Sequence, residues 1–451
     1  MTKHIDSPLN DLLAAKFGLV ALQAETENIK AIKTAAFETF KTLGFPSTKN
    51  EEWKNTNVLS LVKASYDIIG GTATTKYSNA DIATQIEAHK TAIFTQEELH
   101  TDTYTLAIVN GEINWELSNL PTDDFITIKS FSEVLDNTSF NKYFNNVVVL
   151  ENHAFAALNT AMFQNGLFIE IASNKAIDKP IHVVKIADTT QATIAFPRSL
   201  YVVNKSAQLD VIETYLNLNN AAPLFLNGVT EVYVAENAFF NHYDIQKTES
   251  NIQIIQRTEA AQESNSNYSN YTFTVPGADF VRNNLTLHLN DQNIESHLYG
   301  LYLTAGTQLV DNHSEVHHKM PHCESNQLYK GVLFDKSRGV FNGKIYVYQD
   351  AQKTNAFQQS NNVLFSDTAT VNAKPQLEIF ADDVKCSHGT TIGQINKDAI
   401  FYLQSRGIGE VSAKKMMVNA FAFDVTAKIK IDTLRIYLEH VISDAMDELT
   451  K

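Results

Sequence analysis

Cysteine is nearly absent from this sequence of 451 residues, in which Cys323 and Cys386 are the two thiols. Two cysteines exclude a framework of several disulfides. Each is open to two interpretations, as a redox-active or metal-binding thiol or as a small buried apolar residue. The choice between these two interpretations therefore depends on the residues around each thiol.

Positive charge and long apolar runs are also scarce. The sequence has 36 Lys and Arg against 51 Asp and Glu, and its net charge is −15. This balance argues against nucleic-acid binding, because phosphate contacts need clustered basic side chains. No apolar run approaches the roughly 20 residues that span a bilayer. The start, "MTKHIDSPLNDLL", also lacks the layout of a signal peptide. We therefore predict a cytoplasmic protein that contacts neither nucleic acid nor membrane.

Several catalytic motifs are missing as well. The sequence contains no G-x-x-x-x-G-K-[ST] loop for ATP phosphates, no G-x-S-x-G and no H-E-x-x-H. Acidic residues are plentiful, so a carboxylate pair for sugar hydrolysis stays open, although no pair stands out. The chain is therefore not expected to bind ATP by a P-loop.

The pattern of apolar residues divides the chain into three predicted domains. Residues 1–102 are expected to be helical, and Trp53 in a polar turn is interpreted as an anchor for these helices. Residues 103–396 contain short alternating runs such as "PIHVVKI" and "PQLEIFADDVKC", which are typical of strands. Residues 397–451 again show helical spacing. Their apolar stripe is expected to pack against its own domain rather than against a partner.

The central strands predict a solenoid. So many short strands without crossover helices exclude a doubly wound sheet. The strings "NKSAQLDVIETY" and "AENAFFNHYDIQ" share a pattern and lie about 30 residues apart, a repeat length that solenoids use. Asn-Gly steps leave a sandwich as an alternative, but one sandwich rarely holds this many strands. We therefore predict a mainly β protein whose solenoid is flanked by two helical domains.

The stretch "ADDVKCSHGTTIG", residues 381–393, contains the first candidate site. In a strand, side chains at i and i+2 point the same way, so Cys386 and His388 would share one face while Ser387 points away. A thiolate and an imidazole about 7 Å apart can both reach a soft metal ion. The alternative is a packed cysteine beside a satisfied histidine.

The second candidate is "DNHSEVHHKMPHCES", residues 311–325. Imidazole, carboxylate and thiol groups together suit zinc or iron. The spacing matches no closed zinc site, so a polar surface strand is the alternative. If the first part is a strand, His313 and His317 share a face with Glu315. The candidate ligands are His313, His317, His318, His322 and Cys323.

The C-terminal half resembles the SufB/SufD family of iron–sulfur cluster assembly proteins. The resemblance is carried by "PQLEIFADDVKCSHGTTIGQINKDAIFYLQSRGI" and by the stretch that begins "DNHSEVHHKMPHCESNQLYKGVLF". It extends more weakly to "FAALNTAMFQNGLFIEIA" and to "KNEEWKNTNV" near the N-terminus. The string "CSHG" and the helical N-terminal region are similar to the SufD branch of that family.

The resemblance implies a fold and a role. The fold would be a right-handed parallel β-helix between the two helical domains. The chain would be a non-enzymatic scaffold that pairs with a SufB-like paralogue through the β-helix. Its C-terminal helices would dock a SufC-like ABC ATPase, and a cysteine desulfurase system would supply sulfur indirectly. A homodimer is an alternative for the isolated chain.

The resemblance also implies a shared metal site. A transient iron–sulfur cluster would form at the interface with the SufB-like partner, with His388 as a ligand beside Cys386. It allows for reduced flavin (FAD) in the complex, although no motif identifies a flavin site. Two other functions stay open at this point: a β-helix carbohydrate-active enzyme, and a stand-alone metal-binding protein that uses the residues between His313 and Cys323.

Overall fold

The structure is a computed structural model that describes residues 7–22, 26–68, 76–218, 222–248 and 250–449. Helices lie near both ends of the chain and in a short stretch before the long run of strands. They are α1 (Pro8–Leu22), α2 (Glu27–Leu43), α3 (Leu59–Lys63), α4 (Asn79–Phe94), α5 (Thr138–Tyr143), α6 (Ala154–Met162), α7 (Lys397–Ser405), α8 (Glu410–Thr426) and α9 (Asp432–Leu449).

The strands fall into a short N-terminal group and a long regular series. The first group is β1 (Asp67–Ile68), β2 (Thr95–Gln96), β3 (Leu99–His100), β4 (Tyr104–Val109), β5 (Glu112–Asn119) and β6 (Ile126–Ser130). The series is β7 (Leu167–Ile171), β8 (Ile181–Ala187), β9 (Thr193–Ala195), β10 (Arg198–Val203), β11 (Gln208–Asn217), β12 (Leu224–Val234), β13 (Phe239–Gln246), β14 (Ile252–Gln262), β15 (Asn267–Thr274), β16 (Phe280–Leu289), β17 (Glu295–Thr304), β18 (Leu309–His318), β19 (Glu324–Leu333), β20 (Arg338–Val347), β21 (Asn355–Leu364), β22 (Thr370–Ile379) and β23 (Lys385–Gln394).

These strands coil into a parallel β-helix of about eight turns. Each turn gives one strand to sheet I, which runs β22-β20-β18-β16-β14-β12-β10-β7-β6, and one to sheet II, which runs β23-β21-β19-β17-β15-β13-β11-β8-β4-β5. Phe280 pairs with Leu309, and Leu309 pairs with Arg338, so one turn takes about 30 residues. The predicted mainly β solenoid with helices at both ends is confirmed.

The corners of the solenoid explain the repeat that the sequence shows. Ser206 and Asn237 both have φ of 57°, the left-handed conformation that Asn and other small polar residues tolerate better than most. The alanine after each of them, Ala207 or Ala238, is fully buried at the bend. The same corner recurs at positive φ in later turns, at Asn265, Asn293, His322 and Lys353.

The lumen of the β-helix is packed with apolar side chains, and helices cover part of its outer surface. Apolar side chains fill the lumen between the sheets, among them Ile169, Phe240 and Leu298. Helices α8 and α9 cover the outer face of sheet II, where Leu434, Leu438 and Val441 are buried. The apolar stripe of the last helix packs against α8 of its own predicted domain, as favoured from the sequence, and also against α4 and sheet II.

The sequence did not predict helices α5 and α6, which interrupt the stretch of strands. In α6 every residue from Phe155 to Met162 is buried, between α2 on one side and strand β12 on the other. A short segment that is buried on all sides has no clear period, so the pattern cannot distinguish a helix from a strand. Within the described residues, no helix combines the length and apolar content needed to cross a bilayer.

Candidate functional site

Cys386 and His388 lie on strand β23 in the last turn of the β-helix. The register places Cys386 beside Ala356 and His388 beside Gln358, and both of those residues are buried in the lumen. Ser387 lies beside Phe357, which is exposed on the outer face. The prediction that the thiol and the imidazole share one face of a strand is therefore confirmed.

These two side chains are accessible because the β-helix ends here. Among the described residues, no strand pairs with the outer edge of β22 or β23. Cys386 is half-buried against the last apolar cluster of the lumen, which includes Ala356 and Ala381, and His388 is exposed. Burial raises the pKa of the Cys386 thiol, so without a metal ion or cation nearby the thiol form is favoured at neutral pH.

The residues between His313 and Cys323 lie in separate environments. His313 and His317 share one face of strand β18, as predicted from the alternation, and this face is the outer one. The Nε2 of His313 is 2.9 Å from Asp311 Oδ1, and its Nδ1 is 3.4 Å from Glu52 Oε2. His317 stacks between His288 and Tyr346, with ring centroids 5.1 and 4.7 Å away.

The other three members of this cluster point elsewhere. His318 is buried in the lumen, with Nε2 2.8 Å from Ser325 Oγ. His322 is an exposed corner residue, and Cys323 is buried with Sγ 3.1 Å from the Asp291 carbonyl oxygen. Over the described ranges, no three or more His, Cys, Asp or Glu side chains form a group that could hold a metal ion. A metal role for these residues stays a prediction without a preformed site.

Residues 51–56, which we call the clasp turn, join the N-terminal part to the outer face of sheet I. Trp53 stacks on the Arg282 guanidinium at 3.7 Å and lies 5.3 Å from Phe155. Glu52 binds Lys344 at 2.6 Å, and the His313 hydrogen bond keeps the pKa of Glu52 well below its usual range. Trp53 therefore contacts the β-helix as well as helix α6, which the interpretation as a helix anchor missed.

A cavity of about 260 Å³ lies beside the clasp turn, against the outer face of sheet I. Its charged lining groups are already paired: Arg257 with Glu259, and Arg282 with Asp311 at 2.6 Å. The Nδ1 of His153 is 3.2 Å from Arg257 Nη1, and burial lowers the pKa of His153 to about 4. The neutral imidazole therefore accepts this hydrogen bond from the guanidinium.

Sequence reasoning missed Gln358, which lies under His388 in the preceding turn. The signal was present in "FQQSNN", where lumen positions alternate with outer ones about 30 residues before His388. Reading it requires the register between turns, because the number of residues in each corner decides which side chains become neighbours.

Together these features define a class of protein: a parallel β-helix with helices at both ends, whose open last turn presents one thiol and one imidazole. The family model described as "SUF system FeS cluster assembly, SufBD core domain" matches residues 185–421. The model described as "SufBD protein N-terminal region" matches residues 9–183. The chain therefore belongs to the SufBD family.

Curated relatives agree with this membership. A SufBD family iron–sulfur cluster assembly protein of Synechocystis sp. is 31% identical over 425 residues, which cover 91% of this chain and 90% of that protein. The iron–sulfur cluster assembly protein SufD of Escherichia coli is 27% identical over 400 residues, which cover 87% of each chain. The chloroplastic protein ABCI7 of Arabidopsis thaliana is 25% identical over 419 residues, which cover 89% of this chain and 82% of that protein. The chain is SufD-like, and the comparisons support a role in SUF iron–sulfur cluster assembly.

Proposed function

We propose that this chain is a non-ATPase scaffold subunit of a SUF complex, in which its last β-helix turn supplies part of a site for a nascent iron–sulfur cluster. The observation that carries the proposal is the accessible pair of Cys386 and His388 on one face of an open edge strand. Family membership favours this role over a carbohydrate enzyme or a stand-alone metal-binding protein.

The number of ligands points to a second chain. An iron–sulfur cluster usually takes about four thiolate-type ligands, some of which histidine can replace. The open turn offers one thiol and one imidazole, and Cys323 is buried in the lumen two turns earlier. The remaining ligands for the cluster would come from a SufB-like partner, and the cluster is cargo that this complex builds and releases.

The open end of the β-helix suits such a partner. Strands β22 and β23 each present an edge with unpaired backbone groups, a template on which another chain can add strands. Ile379, Phe380 and Ile392 are exposed apolar residues of this last turn, with 40%, 63% and 45% of their surface accessible. A second β-helix would cover both the edge and these side chains.

The C-terminal helices suit the ATPase. Helices α8 and α9 bury one face on sheet II, but α7 and α8 also expose large apolar side chains. An exposed apolar surface of this kind is typical of a docking site. We propose that a SufC-like ABC ATPase covers it, and that a cysteine desulfurase system delivers sulfur to the assembled complex. The exposed side chains are those of Phe401, Tyr402, Met416 and Phe423.

We assign no residues to a flavin site. The cavity beside the clasp turn has a volume of about 260 Å³, and the two arginines that line it already pair with buried carboxylates. They leave no free cation for a dinucleotide pyrophosphate, so this cavity does not fit FAD. A flavin in the complex stays a prediction.

The test is cluster assembly with His388→Ala. The variant, co-expressed with SufB-like and SufC-like proteins, should purify as a complete complex because His388 is an exposed side chain of the last turn. Cluster yield after reconstitution should fall about tenfold or more, as expected when a metal ligand is lost. Ser387→Ala changes the neighbouring outward side chain and should leave the yield unchanged. A normal yield from His388→Ala would remove the ligand role.

A further inference from the structure

A short column of amides runs through the lumen toward the proposed cluster site. Gln358 Nε2 donates to Gln327 Oε1 at 2.9 Å, and Gln327 Nε2 donates to Ser314 Oγ across the lumen. Gln327 pairs in register with Gln358, and Gln358 pairs in register with His388. The three side chains therefore occupy the same lumen position in three successive turns.

The end of this column is unsatisfied. Gln358 is 2% exposed, and its Oε1 is buried without a hydrogen-bond partner among the described residues. Leaving a buried acceptor unpaired is unfavourable. A partner for it is therefore expected within reach.

Ladder geometry indicates where that partner lies. In a stack of amides each N–H donates to one neighbouring strand while the carbonyl oxygen faces the other. Because Gln358 Nε2 faces the preceding turn, its Oε1 faces the last one, where His388 is the register neighbour. Neighbouring strands lie about 4.8 Å apart, so the imidazole can reach the oxygen by turning about its side-chain bonds.

Gly343 supports the same arrangement from sheet I. A Cβ at this position would overlap the Gln358 side-chain amide and crowd the Phe341 ring at 2.9 Å. The absence of a side chain thus leaves the room that the Gln358 amide occupies.

We propose that Gln358 is a positioning residue for His388. Its Oε1 accepts a hydrogen bond from one ring N–H of the His388 imidazole. A neutral imidazole has one N–H and one lone-pair nitrogen, so this bond leaves the other nitrogen unprotonated and directed away from the lumen. That nitrogen is then ready to bind iron, in the way that histidine ligands are commonly oriented by an acceptor on their second nitrogen. The purpose of this arrangement rests on the ligand role proposed above, whereas the hydrogen bond itself does not.

The first measurement is the tautomer of His388 in the full chain. With ¹⁵N-labelled histidine, His388→Ala identifies the His388 signals, and their nitrogen shifts report which nitrogen carries the proton. A hydrogen bond of ordinary net strength shifts the equilibrium between the two His388 tautomers about 3- to 10-fold. Gln358→Met keeps the side-chain length but removes the acceptor, so it should abolish the preference of His388 for one tautomer. Unchanged His388 shifts would overturn the proposal.

Matched variants serve as controls for this measurement. Gln359→Met makes the same change on the adjacent outward residue and should leave the His388 shifts as they are. If Gln358→Met fails to fold, Gln358→Asn keeps a polar side chain but is too short to reach the imidazole, so it should also lose the bias. Gln358→Glu keeps an oxygen opposite His388 and should restore it.

The second measurement is cluster yield in the assembled complex. Gln358→Met should lower the yield about tenfold, and Gln358→Glu should recover most of it. If His388→Ala assembles clusters normally, the ligand role fails, yet the tautomer measurement still decides whether the hydrogen bond exists. If Gln358→Met changes the tautomer but leaves the yield of the complex unchanged, the positioning role is overturned.

Discussion

The two cysteines show how strongly a side chain depends on its place in the β-helix. Cys323 is fully buried in the lumen, and burial raises the pKa of its thiol to about 11. Cys386 occupies a lumen position as well, but the last turn leaves it half-buried at an open edge. Reaction with an alkylating reagent requires both access and the thiolate form, so the two thiols should differ in rate.

We therefore expect one thiol per chain to react in the native protein. Maleimide at neutral pH should modify Cys386 and should reach Cys323 only after unfolding, as measured by mass spectrometry of the intact chain and its peptides. Cys386→Ser should reduce native labelling to the background level. Labelling of Cys323 at a similar rate in the folded chain would show that the lumen near this corner opens.

At the scale of elements, the clasp turn connects the N-terminal part to four strands of sheet I. Arg282 on β16 donates to the Glu52 carbonyl oxygen at 2.9 Å and to Asp311 Oδ2 at 2.6 Å. Thr56 bonds to the same Asp311 carboxylate, and Glu51 reaches Lys374 on β22. The turn thus bridges strands that are far from it in sequence and extends to the last turn of the solenoid.

Removing the central cation of this arrangement should be costly. Arg282→Ala leaves the fully buried Asp311 carboxylate without its main counter-ion, and losing one partner of a buried pair typically costs about 3 to 5 kcal/mol. The free energy of unfolding in denaturant measures the effect. Lys374→Ala is the matched control, because it removes an exposed pair and should change stability little. Equal effects of the two substitutions would contradict this account of the clasp turn.

At the scale of the whole molecule, the β-helix has two different ends. At the first turn the edge strands β5 and β6 run antiparallel to their neighbours, whereas at the last turn the edge strands β22 and β23 run parallel to theirs. Any edge strand can pair with another chain, but among the described strands only β22 and β23 present an edge that continues the parallel order of the solenoid. A second parallel β-helix would therefore extend the molecule in register at this end, where the proposed cluster ligands lie.

The whole molecule should also lose stability in mild acid, because histidines are buried at several of its interfaces. Burial lowers the pKa of His89, between α4 and sheet II, to about 4, and that of His318 in the lumen to about 3. The ordinary pKa of histidine is about 6.5. Below pH 6.5 these imidazoles therefore bind protons in the unfolded chain but stay neutral in the folded chain. Each such group makes the free energy of unfolding fall as the pH falls from about 6.5 toward its folded pKa.

His318→Gln tests this response. Other titrating groups are common to both proteins, so the difference between wild type and variant isolates one imidazole. Between pH 6.5 and 5 the wild type should lose about 2 kcal/mol more than the variant in denaturant titrations. The exposed His322→Gln should follow the wild type. Parallel curves for wild type and His318→Gln would mean that His318 is accessible to protons in the folded chain.

Sequence patterns predicted the features that depend on neighbours along the chain. Alternation predicted the strands and placed Cys386 and His388 on one face, because a pleated strand turns its side chains to opposite sides whatever surrounds it. The paired strings around Ala207 and Ala238 revealed the solenoid repeat, because each corner needs the same backbone conformation.

Only the tertiary structure decided which side chains meet between turns. Gln358 lies under His388 because corners of unequal length set the register of every strand pair, and Arg282 meets Trp53 because the clasp turn folds onto sheet I. Leu309 pairs with Arg338, whereas Arg338 pairs with Thr370, a longer step. A change of one residue in a corner would exchange lumen and outer positions, and local propensity does not carry that information.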